Sequence, residues 1–271
     1  MFKPQGVYVA MLTPFKDDGS INEGEVRRLV EFLIQKGVNG LFPVSSVGEF
    51  VHLSFAQKAR LIQIVAEQAA GRVALTPGVG STEPQQAIRL AQKAKEAGCD
   101  GVVVAPPYFY PLDAGMVEKY FETIAQAIEL PLILYNIPLF TQPISHEAVE
   151  RLARRANVVA MKDSSGSIVD FLHFMDEIRL AGSEMSFLTG REESFLACLM
   201  MGGQGCMVAT AGILPEIMVG IYTHWQKGDF DEARRLQFSI LELVRAFFSL
   251  PFPVGFKPAL EARGFEMGPP V

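Results

Sequence analysis

Short runs of β-branched and other apolar residues recur along the chain, separated by longer stretches in which apolar positions return every three or four residues. The short runs predict strands over Val7 to Met11, Gly40 to Val44, Ala74 to Gly78, Gly101 to Ala105, Leu132 to Asn136, Val158 to Lys162, Ser186 to Gly190 and Gly205 to Val208. The periodic stretches predict helices over Glu23 to Gln35, Phe55 to Ala70, Glu83 to Ala97, Ala114 to Ile128, His146 to Arg154, Ile168 to Leu180, Glu192 to Met201 and Pro215 to Lys227. Several begin at a capping residue: Ser54 with Gln57 three positions on spells a capping box, and Ser145 and Ser167 precede apolar periodicity. Others end at glycine, as at Lys36-Gly37 and Ala97-Gly98, where a left-handed residue closes the last turn. Strand and helix thus alternate eight times, which in the α/β class fits a closed (β/α)8 TIM barrel better than an open sheet of roughly five to seven strands.

Residues 1–228 are accordingly expected to form the barrel, and 229–271 a C-terminal helical extension packed on it within one structural domain. Two helical stretches are predicted in the extension, Asp229 to Phe248 and Phe256 to Gly264. Phe247, Phe248, Phe252 and Phe256 read as packing residues, against the barrel or another subunit.

Composition narrows the partners. The 271 residues carry a formal net charge of −6 and no block of consecutive Lys or Arg, so nucleic acid and anionic membranes find no basic footprint. Nothing resembles an export signal or a membrane span, and Cys99, Cys198 and Cys206 are scattered without metal or disulfide spacing, which fits a reducing cytoplasm. The four histidines are equally dispersed, and no nucleotide-binding glycine loop or zinc-protease helix is present. A small molecule is the expected partner, with neither metal nor organic cofactor.

In such a barrel the reactive groups stand at the carboxyl ends of the strands. Lys162 ends the run Val158-Val159-Ala160-Met161, which should be buried on both faces; an amine held there is favoured in the neutral form that attacks a carbonyl. The same lysine could instead pair with Asp163 in a purely structural role. Tyr135 ends the preceding strand, where a phenol can move protons for imine chemistry or simply fill the barrel mouth. Ser45-Ser46-Val47-Gly48 offers hydroxyls and a glycine-relaxed backbone whose N–H groups suit one carboxylate, although such loops are also common turn chemistry.

These pieces in this order resemble the dihydrodipicolinate synthase and N-acetylneuraminate lyase superfamily of pyruvate-dependent aldolases. The likeness starts at Val7-Tyr8-Val9-Ala10-Met11-Leu12-Thr13-Pro14-Phe15 and runs through Val47-Gly48-Glu49, Ala105-Pro106-Pro107-Tyr108, Tyr135-Asn136-Ile137-Pro138 and Lys162-Asp163-Ser164-Ser165-Gly166 to Pro253-Val254-Gly255-Phe256-Lys257 and Ala259-Leu260. The Tyr-Asn-Ile-Pro and Lys-Asp-Ser-Ser-Gly stretches at their spacing are the specific part. The resemblance implies that Lys162 forms the Schiff base, that Tyr135 shuttles protons, that the backbone N–H groups of Ser46 and Val47 hold the pyruvate carboxylate, and that Gly190 and Met207 line the pyruvate pocket. It also implies a homotetramer, a dimer of dimers.

Departures from the family pattern bear on the substrate. Synthases of lysine biosynthesis carry an arginine for the carboxylate of the aldehyde partner where this chain has Phe140, and a neutral ring makes no bidentate carboxylate pair. Val47 replaces the loop's second hydroxyl. Phe109 stands where a tyrosine from the neighbouring subunit is expected, with Tyr110 one step on to enter the neighbour's site in its place. In sugar-acid lyases of the family, residues after the Schiff-base lysine and after strand seven contact the polyol; here these are Ser164, Arg191, Glu192 and Glu193, which could equally be a solvated helix start. The leading expectation is a lyase acting on a 2-oxo-3-deoxy sugar acid or related 4-hydroxy-2-oxo acid, releasing pyruvate and an aldehyde. The alternatives are condensation of pyruvate with aspartate semialdehyde, dehydration of a deoxy sugar acid, and a sugar-acid binding protein without turnover.

Overall fold

The computed structural model describes residues 2–270. Its strands are β1 (Gly6–Ala10), β2 (Gly40–Phe42), β3 (Ala74–Leu75), β4 (Val102–Val104), β5 (Leu132–Asn136), β6 (Val158–Asp163), β7 (Ser186–Thr189) and β8 (Gly205–Val208). All pair in parallel, in the order β3-β2-β1-β8-β7-β6-β5-β4. The two outer strands meet in turn: Gly78 bridges to Val103, Val79 N–H donates to the Val103 carbonyl at 2.9 Å, and Val103 N–H donates to the Pro77 carbonyl at 2.9 Å. The sheet is therefore a closed ring, the (β/α)8 barrel expected from the alternation.

Helices α1 (Glu23–Gln35), α2 (Phe55–Ala69), α3 (Pro84–Glu96), α4 (Ala114–Ala127), α5 (His146–Leu152), α6 (Ile168–Leu180), α7 (Phe195–Met200) and α8 (Pro215–Gln226) follow the strands in turn. Their caps are those the sequence announces. Ser54 and Gln57 form a reciprocal capping box on α2, and Ser145 and Ser167 accept from the backbone N–H groups of Ala148 and Asp170. Strands covered by helices outside and packed side chains inside are apolar on both faces, which is why Val102–Val104 and Leu132–Leu134 are almost wholly inaccessible.

Four predicted elements come out differently. Strand three keeps ladder pairing over two residues only: Thr76 and Gly78 N–H still donate to the Leu41 and Pro43 carbonyls at 2.9 Å, but Pro43 on the neighbouring strand has no N–H to return. Strand two stops at Phe42, ahead of Pro43 and of Val44, whose φ of 57° leaves the extended region. The helix expected from Glu192 begins as a 3-10 turn over Glu192–Ser194 and becomes α-helical only at Phe195. Gln237 is the cause: its Nε2 donates to the Glu192 carbonyl at 2.8 Å and its Oε1 accepts from Leu196 N–H at 2.9 Å, so it occupies the two groups that an α-helical bond would have joined.

Gln237 belongs to α9 (Phe230–Ser239), the first helix of the extension. The single long helix expected over Asp229 to Phe248 is divided at Ile240 into α9 and α10 (Leu241–Phe247), with Ser239 Oγ donating back to the Leu236 carbonyl at 2.7 Å beside the break. A last helix, α11 (Phe256–Glu261), lies at the barrel mouth. Ile240, Val244, Phe247, Phe256 and Leu260 join the same apolar cluster as the barrel strands. The three cysteines are free and buried, and burial pushes the thiols of Cys198 and Cys206 up. No helix among the described residues is long and apolar enough to cross a membrane, and no described group of His, Cys, Asp and Glu is arranged to hold a metal ion.

Candidate active site

Strand β6 sets the centre of the site. Lys162 lies in register with Tyr135 on β5 and Leu188 on β7, near the carboxyl ends of all three strands. Successive strand residues point to opposite faces, so Lys162 and Asp163 face different surroundings. The lysine is only 3% exposed, with Nζ 3.9 Å from the centroid of the Tyr135 ring and 4.9 Å from that of Phe42. Among the described residues no carboxylate lies within ion-pair distance of it. Asp163 accepts instead from Asn136 Nδ2 at 2.7 Å and Ser165 Oγ at 2.6 Å, while Asn136 Oδ1 accepts from Ile144 N–H at 3.1 Å. Burial raises the Asp163 carboxyl above its ordinary range, and the bonds from Ser165 and Asn136 oppose that shift. The structural pairing of Lys162 with Asp163 is thus absent: the aspartate ties the ends of β5 and β6 together and leaves the amine to the cavity.

The loop after β2 faces that amine. Ser45 Oγ donates to the Met11 carbonyl at 2.8 Å and accepts from Gly48 N–H at 3.1 Å, and Thr13 Oγ1 donates to the Gly48 carbonyl at 2.8 Å. A Cβ at Gly48 would sit 2.6 Å from the Met11 carbonyl oxygen, so only glycine lets the loop lie this close to the end of β1. Ser46 Oγ donates to the Tyr135 hydroxyl at 3.4 Å, which connects the loop to the lysine's neighbour. The loop's own hydrogen bonds use the Gly48 and Glu49 N–H groups and not those of Ser46 and Val47.

A cavity of about 60 Å³ opens between Lys162, Tyr135, Ser46, Val47, Gly190 and Met207. Gly190 leaves room there: a Cβ would overlap the Ser164 hydroxyl and lie 2.8 Å from Lys162 Cε, so both side chains would have to move. Ser164, Arg191, Glu192 and Phe140 line the same cavity further out. Arg191 is held by Glu193 at 2.8 Å, its guanidinium 5.2 Å from the Phe248 ring centroid. Glu192 is buried, and its Oε1 accepts from Thr210 N–H at 3.1 Å and Thr210 Oγ1 at 3.0 Å. Desolvation raises its carboxyl above the usual carboxylate range, and the Thr210 bonds oppose the shift. It therefore fastens β7 to the segment after β8 as well as lining the cavity, and is not part of a solvated helix start.

One expectation needs amending. Phe248, Phe252 and Phe256, read from the sequence as packing, wall the cavity together with Phe140, whose ring centroid is 5.3 Å from that of Phe252. Tyr110 does not line this chain's own cavity. It is 74% exposed, set edge-on to Phe109, which is itself 85% exposed and holds a φ of 86°.

Comparison with known proteins identifies the family. A family model described as the dihydrodipicolinate synthetase family matches residues 3–271. The 4-hydroxy-tetrahydrodipicolinate synthase of Methanopyrus kandleri is 35% identical over 272 residues, covering 99% of this chain and 90% of the relative. An uncharacterized DapA-like lyase of Pyrococcus horikoshii is 34% identical over 267 residues, covering 98% and 92%. Among solved structures, YagE of Escherichia coli K12, a prophage protein of the dihydrodipicolinic acid synthase family in complex with pyruvate, superposes with a TM-score of 0.93 at 27% identity over 98% of this chain and 91% of that one. With the family matched from end to end and relatives above 30% identity across nearly the whole length, this chain belongs to the dihydrodipicolinate synthetase family.

Proposed function

We propose that the protein is a Schiff-base-forming, pyruvate-dependent aldolase that cleaves a 2-oxo-3-deoxy sugar acid or related 4-hydroxy-2-oxo acid, or forms it in reverse. The observation that carries this reading is the buried Lys162 amine, unpaired with any carboxylate among the described residues and set against Tyr135 at the mouth of the barrel. Lys162 Nζ adds to the C2 carbonyl of the substrate, and loss of water leaves a protonated imine. The C3–C4 bond then breaks, its electron pair passing into the imine to give an enamine, while the C4 hydroxyl proton passes to Tyr135 and the aldehyde departs. Protonation of the enamine at C3 and hydrolysis of the imine free pyruvate and regenerate the amine. The imine is the electron sink, so the scheme uses no metal or organic cofactor.

The N–H groups of Ser46 and Val47, with the Ser46 hydroxyl, receive the substrate carboxylate. Gly190 and Met207 bound the pyruvyl unit, and Ser164, Arg191 and Glu192 face the tail. The proposal includes a cytoplasmic homotetramer, a dimer of dimers, in which Tyr110 reaches a neighbouring subunit's site. The test is intact mass after incubation with pyruvate and borohydride. A reduced pyruvyl adduct mapped to Lys162, and lost in Lys162→Ala, is expected; no adduct on folded protein with 2-oxo acids of several sizes would move the assignment to a binding protein.

The names of several relatives favour a second reading, 4-hydroxy-tetrahydrodipicolinate synthesis from pyruvate and aspartate semialdehyde. Phe140 counts against it, since the aldehyde's carboxylate would meet a phenyl ring packed on Phe252. Efficient condensation with aspartate semialdehyde by the unaltered protein would make this second reading the correct one. Dehydration of a deoxy sugar acid begins from the same imine and is distinguished by its product.

A further inference from the structure

Glu49 and Lys257 lie far apart in sequence and meet directly behind the loop that faces the cavity. Lys257 Nζ is 2.7 Å from Glu49 Oε1, with the two side chains 6% and 2% exposed. The ammonium also donates to the Pro269 carbonyl at 2.8 Å and stands 4.6 Å from the centroid of the Phe15 ring, while Phe15 N–H donates to the Met267 carbonyl at 2.9 Å. One lysine on α11 therefore gathers the carboxylate loop, the segment after β1 and the end of the described chain.

We propose that the Glu49–Lys257 pair is a positioning device, which clamps the Ser46–Gly48 loop in the shape that presents its free N–H groups, and so makes the C-terminal extension part of the pyruvate-carboxylate site. Glu49 is in the same turn as those donors, its own N–H bonded to the Ser46 carbonyl at 3.2 Å. It holds a φ of 60°, a left-handed conformation that a residue with a side chain keeps only where its surroundings impose it. Thr13 and Ser45 fix the front of the turn against β1, and the carboxylate of Glu49 fixes the back against α11. A fully buried ion pair is a poor way to gain stability alone, because desolving two charges offsets most of their attraction and an apolar pair of similar size does as well. What the pair supplies is a defined direction for the turn, which an apolar contact would not fix.

This inference rests on the pyruvate reading above, and its test separates the two. The apparent half-saturation for borohydride trapping is measured with pyruvate and with methyl pyruvate, which keeps the reacting ketone but lacks the carboxylate, for the unaltered protein, Glu49→Gln, Lys257→Met and the double variant. The expected result is a rise in half-saturating pyruvate of roughly tenfold in each single variant, larger than any change in rate at saturation, since what is lost is binding rather than chemistry. Methyl pyruvate should be trapped almost as before, and the double variant should be no worse than the worse single, because both substitutions remove the same clamp. If Lys257→Met fails to fold, the near-isosteric Glu49→Gln decides alone. An unchanged half-saturation with only a lower thermal midpoint, or an equal shift for both ketones, overturns the positioning role. Absence of trapping in the unaltered protein at any concentration overturns the pyruvate reading and this inference with it.

Discussion

Gly190 gives the sharpest expectation for a single residue. A methyl group there would collide with the Ser164 hydroxyl and with the carbon that carries the Lys162 amine, displacing the nucleophile while leaving the strands untouched. Gly190→Ala should lower kcat/KM by roughly a hundredfold, the usual consequence of a misplacement of about 1 Å, with an unchanged circular-dichroism spectrum. Glu192 gives a pH dependence. Burial raises its carboxyl in the folded protein, so the stability it contributes is fully present below the unfolded pKa and is lost as pH rises through the folded one. Glu192→Gln keeps an acceptor for Thr210 without the buried charge. Its thermal midpoint should therefore gain on the unaltered protein at neutral pH, by the equivalent of roughly 1–3 kcal/mol for a buried polar group relieved of charge, and gain nothing near pH 4. Lys162 and Tyr135 were legible in the sequence because a reactive side chain ending an apolar run is conspicuous. Phe248, Phe252 and Phe256 were not, because a phenylalanine that walls a cavity has the same sequence signature as one that fills a core.

At the scale of elements, the turn after β7 shows where pattern gives way to tertiary contact. The periodicity of Glu192 to Met201 is helical, and the capped helices α2, α5 and α6 form where such periodicity starts, since their cap, first turn and apolar face lie within one segment. The start of α7 is governed by Gln237, forty-five positions away from the carbonyl it binds, so no local window contains the information. Gln237→Leu should let the Glu192 carbonyl and Leu196 N–H bond each other, extending α7 backward by one turn and turning Arg191 and Glu192 away from the cavity. A crystal structure would show the added turn, and an aldehyde panel should show altered relative kcat/KM with pyruvate trapping retained. Proline acts similarly at β3: Pro43 on the neighbouring strand has no N–H to return, which shortens a strand whose apolar run looked continuous, and the ring closes through the Gly78–Val103 bridge.

On the scale of the molecule, most ion pairs lie on the outer helices with both partners well exposed, as in Arg72–Glu31 and Arg179–Asp176. Such pairs each contribute about 0–1 kcal/mol and are screened by salt. In the proposed homotetramer the exposed aromatics Phe109 and Tyr110, with Phe109 at a positive φ, are the contacts expected to meet a neighbouring subunit. If that assembly forms, Tyr110→Ser should weaken it in sedimentation velocity and lower kcat together, whereas a monomer in the unaltered protein, or no change in either, would overturn the proposed contact. The ion pair between Glu49 and Lys257 has a last consequence, for the order in which a ribosome delivers this chain. Strand β1 completes the ring only with β8, and the turn proposed to receive the carboxylate gains its Lys257 partner only once α11 has emerged. Translation arrested between Lys162 and that helix would yield a nascent chain that contains Lys162 and Tyr135 but lacks the proposed clamp on the carboxylate loop, so the grip on the substrate arrives only with α11.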